Sequence, residues 1–349
     1  MKPKKPLIVL TGGGTAGHVM PHVSLLSEFY EKEWSLLYIG SKAMERDTMK
    51  AHGVEFVGVS SGKLRRYFSW DNFFDHFRLL WGILQSLCIL WHRSPAVVFS
   101  KGGYVSVPIC VAAWILRIPV VTHESDFSPG LATRLIMPLA RRVCYSFSAS
   151  GKFFPPPKGV HTGNPIRREL GEGSPAEGFR LCGFSSEGLP VLLVMGGSSG
   201  AVALNEFMYR NLSAILTRFR VVHITGKEKN QEVLQEGYRH FSYVTHELAH
   251  LYAVTEVVLS RAGANSVFEF EAVGIPMVLI PLSVGSRGDQ VENAELMVGT
   301  GRARMILQSE LGLERFWKEV EALPPRQKNE LHVGDAGKKI VDVLSREIR

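Results

Sequence analysis

Twice in this 349-residue chain a short apolar run breaks into glycines and then resumes with helical spacing. The first instance is LIVLTGGGTAGH (7–18) and the second is VLLVMGGSSGAVALN (191–205). A strand that passes through a glycine turn into a helix reads as a β/α unit. In such a unit, free N–H groups and the positive end of the helix dipole meet at the strand's carboxyl end. Further apolar runs at 35–40, 96–100 and 118–123, and at 220–226, 256–263 and 275–282, alternate with helical patterns. The alternation predicts an α/β fold, with doubly wound parallel sheets carrying helices on both faces.

The two halves echo each other. SKGGYVSV (100–107) and SRAGANSV (260–267) share a serine, a basic residue, a glycine and a Ser-Val pair, and IPVV or IPMV follows each at nearly the same distance. Between them, FFPPPKGVHTGNPIRREL (153–170) carries a run of three prolines and two glycines, the composition of a linker. The expected domains are 1–160 and 161–334.

Composition removes several classes of function. Cys88, Cys110, Cys144 and Cys182 are scattered without a C-x-x-C pair, which suggests neither a disulfide scaffold nor a zinc site. The opening MKPKKPLIVLTGGG lacks a cleavage-site pattern and reads as mature chain. The longest apolar stretch, 79–91, is too short to span a bilayer and contains Gln85. A net charge of +7 and a pI near 9.2 suit an acidic partner, either nucleic acid or an anionic membrane surface. No zinc-finger spacing, aromatic RNA-binding motif or dense basic helix is present, so no nucleic-acid partner is expected.

The first turn matches G-x-G-x-x-G through Gly12, Gly14 and Gly17. A dinucleotide site also needs an acid at the end of the second strand, where this chain has Gly40, Ser41 and Lys42. G-x-x-x-x-G-K-[ST] is absent as well. Taken alone, either glycine turn is also readable as a plain strand-to-helix connection.

Seven motifs occur in order: GGGTAGH with Pro21, SKGGYVSVP (100–108), IPVVTHESDFSPGLATR (118–134), TGNPIR (162–167), GGSSGAVALN (196–205), SRAGANSVFE (260–269) and DQVENA (289–294). Together they resemble the MurG family, family 28 of the glycosyltransferases, which moves N-acetylglucosamine from UDP-N-acetylglucosamine to lipid I in peptidoglycan synthesis. The resemblance implies a GT-B fold, two Rossmann-like domains across a cleft, with a C-terminal helix (335–349) packed on the N-terminal domain. It implies an inverting transfer that needs no cofactor or metal, and an enzyme peripheral to the cytoplasmic face of the plasma membrane. The implied partners are UDP-N-acetylglucosamine, an undecaprenyl-linked muramyl-pentapeptide, the anionic inner leaflet and cell-wall synthesis proteins. Two alternatives stay open: a paralogue using another lipid-linked acceptor or sugar nucleotide, and a sugar-nucleotide-binding scaffold without turnover.

By resemblance, the donor is held by Thr15, Ala16, Gly17, Arg167, Gly197, Ser198, Ser199, Gly200, Thr245, Arg261, Glu269 and Gln290. The guanidinium of Arg167 suits a phosphate. The carboxylate of Glu269 suits ribose hydroxyls, although it could instead complete a capping box with Ser266 in a helix starting near Asn265. An amide such as Gln290 can donate to or accept from a sugar hydroxyl, and Asn293 is expected to support the loop. The acceptor diphosphate is assigned to Gly13, Gly14, Gly102, Gly103 and Tyr104. The base that removes the acceptor proton is either His18, whose place at a helix N-terminus favours neutral imidazole, or Asp126.

The family string His-Glu-Gln-Asn is here His123, Glu124, Ser125 and Asp126, Ala16 stands where glycine is usual, and Ser199 where glutamine is usual. These departures bear on acceptor and donor choice. His123 and Glu124 alone do not complete a metal site. Segment 65–93 has a broad apolar arc along Phe73, Phe77, Leu80, Leu84, Leu87 and Trp91, flanked by Trp81 and by Arg65 and Arg66. Asp71, Asp75, Arg78, Gln85 and Arg93 lie opposite. The arc suits an anionic membrane interface, with Trp114 and Arg141 joined to the patch by resemblance, or else a helix sandwiched in the fold.

Overall fold

A computed structural model of the chain describes residues 5–41, 44–62, 70–197, 200–226, 233–282, 288–327 and 335–348, giving only the backbone of residues 16 and 70–76. It divides into two compact units, Met1–Arg167 with Gly334–Arg349, and Arg168–Val333.

The first unit runs β1 (Leu7–Thr11), α1 (Ala16–Val23), α2 (Leu26–Glu31), β2 (Ser35–Gly40), α3 (Met44–Ala51), β3 (Glu55–Gly58), α4 (Trp70–Arg93), β4 (Val97–Ser100) and α5 (Ser106–Ile115). It continues through β5 (Val120–Glu124), α6 (Leu131–Ile136), β6 (Arg142–Tyr145) and β7 (Gly159–His161). The seven strands form one parallel sheet in the order β3-β2-β1-β4-β5-β6-β7. Side chains alternate across it: Ile8 and Leu10 join one buried cluster, Val9 the other. Both faces are covered, which is why β1 reads as a continuous apolar run rather than an alternating one.

The second unit runs α7 (Pro175–Cys182), β8 (Val191–Met195), α8 (Val202–Ile215), β9 (Arg220–Ile224), β10 (Tyr238–Phe241), α9 (Leu248–Val254), β11 (Thr255–Ser260) and α10 (Ala264–Ala272). It ends with β12 (Met277–Leu279), α11 (Asp289–Gly299), β13 (Ala303–Met305) and α12 (Leu313–Glu321). Its parallel sheet has the order β10-β9-β8-β11-β12-β13. The last helix, α13 (Ala336–Glu347), belongs to the first unit. There Ile340, Val341, Val343 and Leu344 join the cluster that holds Leu25, Phe29 and Phe99, and Glu347 takes Arg142 at 3.0 Å and Arg141 at 3.5 Å.

All eight apolar runs picked out in the sequence lie on strands. The shorter β3, β6, β7, β10 and β13 were not singled out, since three or four mixed residues toward a sheet edge carry little periodic signal. Helix α4 turns inward a face other than its apolar arc, which is left largely exposed rather than sandwiched in the fold. Gly82, Ser86 and Leu90 are buried, and a methyl group on Gly82 would stand 2.1 Å from Ser60 O. Gln85, assigned to the polar side, is half-buried and accepts from Ser60 N–H at 2.8 Å. Phe77, Leu80, Trp81, Leu84 and Trp91 are left exposed. The small residues sit on the inner face because the helix packs close to backbone there.

Candidate active site

Open parallel sheets bind ligands outside the carboxyl ends of the strands where strand order reverses. In the first unit that point lies between β1 and β4. Register sets Thr11 beside Ser100 and Ser100 beside Thr122, so the segments that follow these three strands leave the sheet together.

Helix α1 begins after Thr15, whose side chain makes no capping bond; its Oγ1 instead lies 2.9 Å from His18 Nδ1. The turn after β4 closes over this histidine. Gly103 has φ +79°, and a methyl group there would stand 2.4 Å from Gly13 O and 3.3 Å from His18 Nδ1. Gly14 has φ +88°, and a methyl group there would meet the Tyr104 ring at 2.5 Å. Only glycine tolerates both this backbone geometry and this proximity. The two turns thus bring together Gly13, Gly14, Thr15, His18, Gly102, Gly103 and Tyr104. Gly17 is exposed beside them, while the side chain of Ala16 lies outside the described residues.

Beneath the turns lies a buried polar cluster. Tyr38 Oη donates to Gly12 O at 2.5 Å, and His22 Nε2 sits 3.0 Å from Thr11 O. Burial pushes His22 down to about 3, leaving a neutral ring. Lys101 Nζ lies 2.6 Å from His123 Nδ1 and 2.9 Å from Ser125 Oγ. His123 Nε2 lies 2.9 Å from Gly163 O, and burial, with Lys101 next to it, holds this ring well below its ordinary value. Glu124 accepts from the N–H groups of Asp126 at 3.1 Å and Gly130 at 2.9 Å, closing the turn that carries Asp126. Both ring nitrogens of His123 and both Glu124 oxygens are thus engaged in hydrogen bonds. Among the described residues no group of three or more His, Cys, Asp and Glu side chains is placed to hold a metal.

In the second unit the corresponding reversal lies between β8 and β11, with Met195 beside Ser260 and Ser260 beside Leu279. Gly197 and Gly200 have positive φ, and a methyl group on Gly200 would stand 2.2 Å from Thr225 O. Asn205 Nδ2 holds that carbonyl at 3.0 Å, and Asn205 Oδ1 lies 3.0 Å from His223 Nε2, whose Nδ1 lies 2.9 Å from Tyr238 Oη. Burial pushes His223 down to about 3, so a neutral chain of hydrogen bonds braces the turn. Ser198 and Ser199 lie outside the described residues.

Helix α10 opens at Ala264 after Gly263, so Asn265 and Ser266 lie in its first turn rather than at the cap. Glu269 does not rely on a capping box: its Oε2 accepts from the buried Tyr252 hydroxyl at 3.1 Å. Gln290 Oε1 accepts from Leu282 N–H at 3.0 Å, and buried Asn293 donates to Ala262 O at 3.2 Å. Arg261 donates to Ile280 O at 2.9 Å and Gln308 Oε1 at 2.7 Å. Exposed Thr245 donates its N–H to Glu247 at 3.0 Å. Half-buried Arg167 is the last residue of the first unit.

On the first unit Phe77, Leu80, Trp81, Leu84 and Trp114 are each 56–59% exposed. The Phe73 side chain and Arg65 and Arg66 lie outside the described residues. Arg141, joined to this patch by resemblance, is drawn to Glu347 of α13. No helix among the described residues is long and apolar enough to cross a membrane. The sequence reading passed over Lys101 as a site residue; the available signal was a lysine directly behind a wholly buried strand.

The chain matches the glycosyltransferase family 28 N-terminal domain over residues 8–145 and the family 28 C-terminal domain over 191–345. A UDP-N-acetylglucosamine–N-acetylmuramyl-(pentapeptide) pyrophosphoryl-undecaprenol N-acetylglucosamine transferase of Legionella pneumophila is 47% identical over 311 residues, 88% of this chain and 85% of that one. The transferase of the same name from Clostridium botulinum is 44% identical over 320 residues, 90% of each chain. In fold, the chain is similar to Acinetobacter baumannii MurG, with a TM-score of 0.71 at 21% identity over 98% of this chain and 100% of that one. Two parallel-sheet Rossmann-like units, both family 28 domains and this identity over nine-tenths of its length make the chain a member of the MurG family of GT-B glycosyltransferases.

Proposed function

We propose that this enzyme transfers N-acetylglucosamine from UDP-N-acetylglucosamine to the muramyl 4-hydroxyl of lipid I, with inversion, to form the β1→4 disaccharide of lipid II. The observation that carries the mechanism is His18, held by Thr15 between two glycine turns. If Nδ1–H donates to Thr15, Nε2 presents its lone pair. The acceptor oxygen then forms its bond to the anomeric carbon, the bond to UDP breaks with its electron pair leaving on the diphosphate, and the acceptor proton passes to Nε2. Asp126, on the turn after β5, is the rival base.

By the family resemblance the donor would be bound by Gly197, Ser198, Ser199 and Gly200, whose backbone suits its diphosphate, with Arg167, Thr15, Ala16 and Gly17 as further donor-binding residues. Glu269, steadied by Tyr252, would accept the ribose hydroxyls, and the Thr245 backbone would meet uracil. With its oxygen taken by Leu282, Gln290 would meet the sugar as a donor through Nε2. Arg261 would act from the rim through the β12 loop it braces. Gly13, Gly14, Gly102, Gly103 and Tyr104 would face the acceptor diphosphate. Helix dipoles and N–H groups stabilise the departing UDP in this scheme, without a metal. The exposed aromatic face of α4 and Trp114 would rest on the anionic cytoplasmic leaflet.

The test is radiolabelled transfer to a short-chain lipid I analogue in chelator, comparing wild type with His18→Ala and Asp126→Asn. Product from wild type, lost in His18→Ala while UDP still binds, is the expected result. Loss in Asp126→Asn alone moves the base to Asp126, and no product from wild type overturns the lipid I assignment.

A further inference from the structure

Lys101 is 3% exposed, in a place where an ammonium is expensive to bury and a methylene chain alone would pack without penalty. Its hydrogen bonds have a fixed sense. Gly163 O can only accept, so His123 carries its proton on Nε2 and offers the Nδ1 lone pair to Lys101. Ser125 Oγ donates to Asn164 Oδ1 at 3.0 Å, an oxygen that also accepts from Ser146 at 3.2 Å, so Ser125 offers Lys101 a lone pair too. Lys101 therefore donates to two acceptors, one on β5 and one on the turn that leaves it. That turn carries Asp126 and is closed by Glu124.

We propose that Lys101 is a positioning residue for the transfer: through His123 and Ser125 it holds the turn bearing Asp126, and its ammonium is the counter-charge of the Glu124 and Asp126 carboxylates. The proposal rests on reading Asp126 as part of the acceptor side of the site. The groups that face Lys101 are His22 on α1, with His18 one turn before it; His123 and Glu124 on β5; Asp126 beyond; and Cys144 on β6. Both histidines beside it, His22 and His123, are neutral, and burial pushes the Cys144 thiol up to about 12, so the thiol is neutral as well. The two carboxylates are left as the compensating charges. Burial pushes Lys101 down to about 7 against the pull of Glu124 and Asp126. The counter-charge is present below that pH and is lost as pH rises through it, so the transfer acquires a basic limb set by a lysine that never touches substrate.

The test is a 13Cε-lysine NMR titration of the full chain without substrate, with Lys101 assigned by the signal missing from Lys101→Arg. The expected result is one lysine titrating several units below the others, whose midpoint falls by about one unit in Asp126→Asn. Because no substrate is present, failure of the lipid I assignment leaves this reading intact. In kinetics, Lys101→Met is expected to lower kcat at least ~10-fold with KM for UDP-N-acetylglucosamine within about twofold, and Lys101→Arg to abolish the basic limb. If Lys101→Met fails to fold, the Asp126→Asn titration decides alone. A midpoint that does not move in Asp126→Asn, or a basic limb unchanged in Lys101→Arg, overturns the proposal.

Discussion

Gly103→Ala puts the interlock of the two glycine turns to the test. Alanine at φ +79° carries a backbone penalty of about 1–2 kcal/mol. Its methyl group would also stand 2.4 Å from Gly13 O, a backbone atom that cannot swing away. Relief of such overpacking costs roughly 1–3 kcal/mol more. Gly53→Ala supplies the internal reference, because Gly53 has φ +71°, no heavy atom within 4 Å of the added methyl, and a place at the opposite end of the sheet. Both variants share the φ penalty, so their difference isolates the contact. At ~2–4 °C per kcal/mol for a unit of this size, Gly53→Ala should lower Tm by a few degrees and Gly103→Ala by about twice as much. If the turn yields instead, the stability gap narrows while His18 moves, and a shift of about 1 Å is worth ~100-fold in rate. Scanning calorimetry and initial rates of transfer, with UDP titration as a binding control, measure both outcomes. A Gly103→Ala variant that matches Gly53→Ala in Tm and keeps wild-type kcat would refute the reasoning.

Thr15→Val removes the oxygen beside His18 Nδ1 and should lower kcat at least ~10-fold with little change in KM; a rise in KM alone would move Thr15 to the donor. Glu269→Ala should weaken UDP about 10–100-fold by calorimetry while leaving 2′,3′-dideoxy-UDP unaffected, since a hydrogen bond to a charged group is worth roughly 1.5–3 kcal/mol. Equal weakening of both ligands would end the ribose assignment. His22, His123 and His223 are neutral in the fold with depressed values, so the unfolded chain binds protons first as pH falls below about 6.5. Each should subtract about 1.4 kcal/mol of stability per pH unit, seen as falling urea midpoints from pH 7 to 5, and His223→Gln should flatten the slope for the second unit. Trp81→Ser with Trp114→Ser should reduce sedimentation with anionic vesicles at least ~10-fold without altering transfer to a soluble acceptor. Undiminished vesicle binding would place the lipid contact elsewhere.

The central strands were legible because each carries an apolar run, and the turns after β1 and β8 are marked by glycine. The interlock of Gly13 with Gly103 was not, since it depends on two turns more than 80 residues apart arriving at one sheet edge. The inner face of α4 was hidden for a physical reason. Close packing against Ser60 selects Gly82 and Ser86, which hydropathy scores as weak, while the residues it scores as core face outward. Glu269 showed the motif but not its partner, because Tyr252 comes from a different helix. Lys101 showed in the sequence only as the basic residue of the 100–107 echo, and only the fold reveals that it is buried against His123 and Ser125.

Helix α13 also bears on how the molecule is made. The apolar cluster around Phe29 and Phe99 includes Ile340 and Leu344, so the first unit to leave the ribosome lacks part of its own core until α13 has been translated. The second unit, Arg168–Val333, is by then complete in sequence. Folding during synthesis therefore cannot run strictly from the amino end. The first unit must wait half-open, with the α2 surface uncovered, until α13 is made, so the part synthesised first is the one completed last.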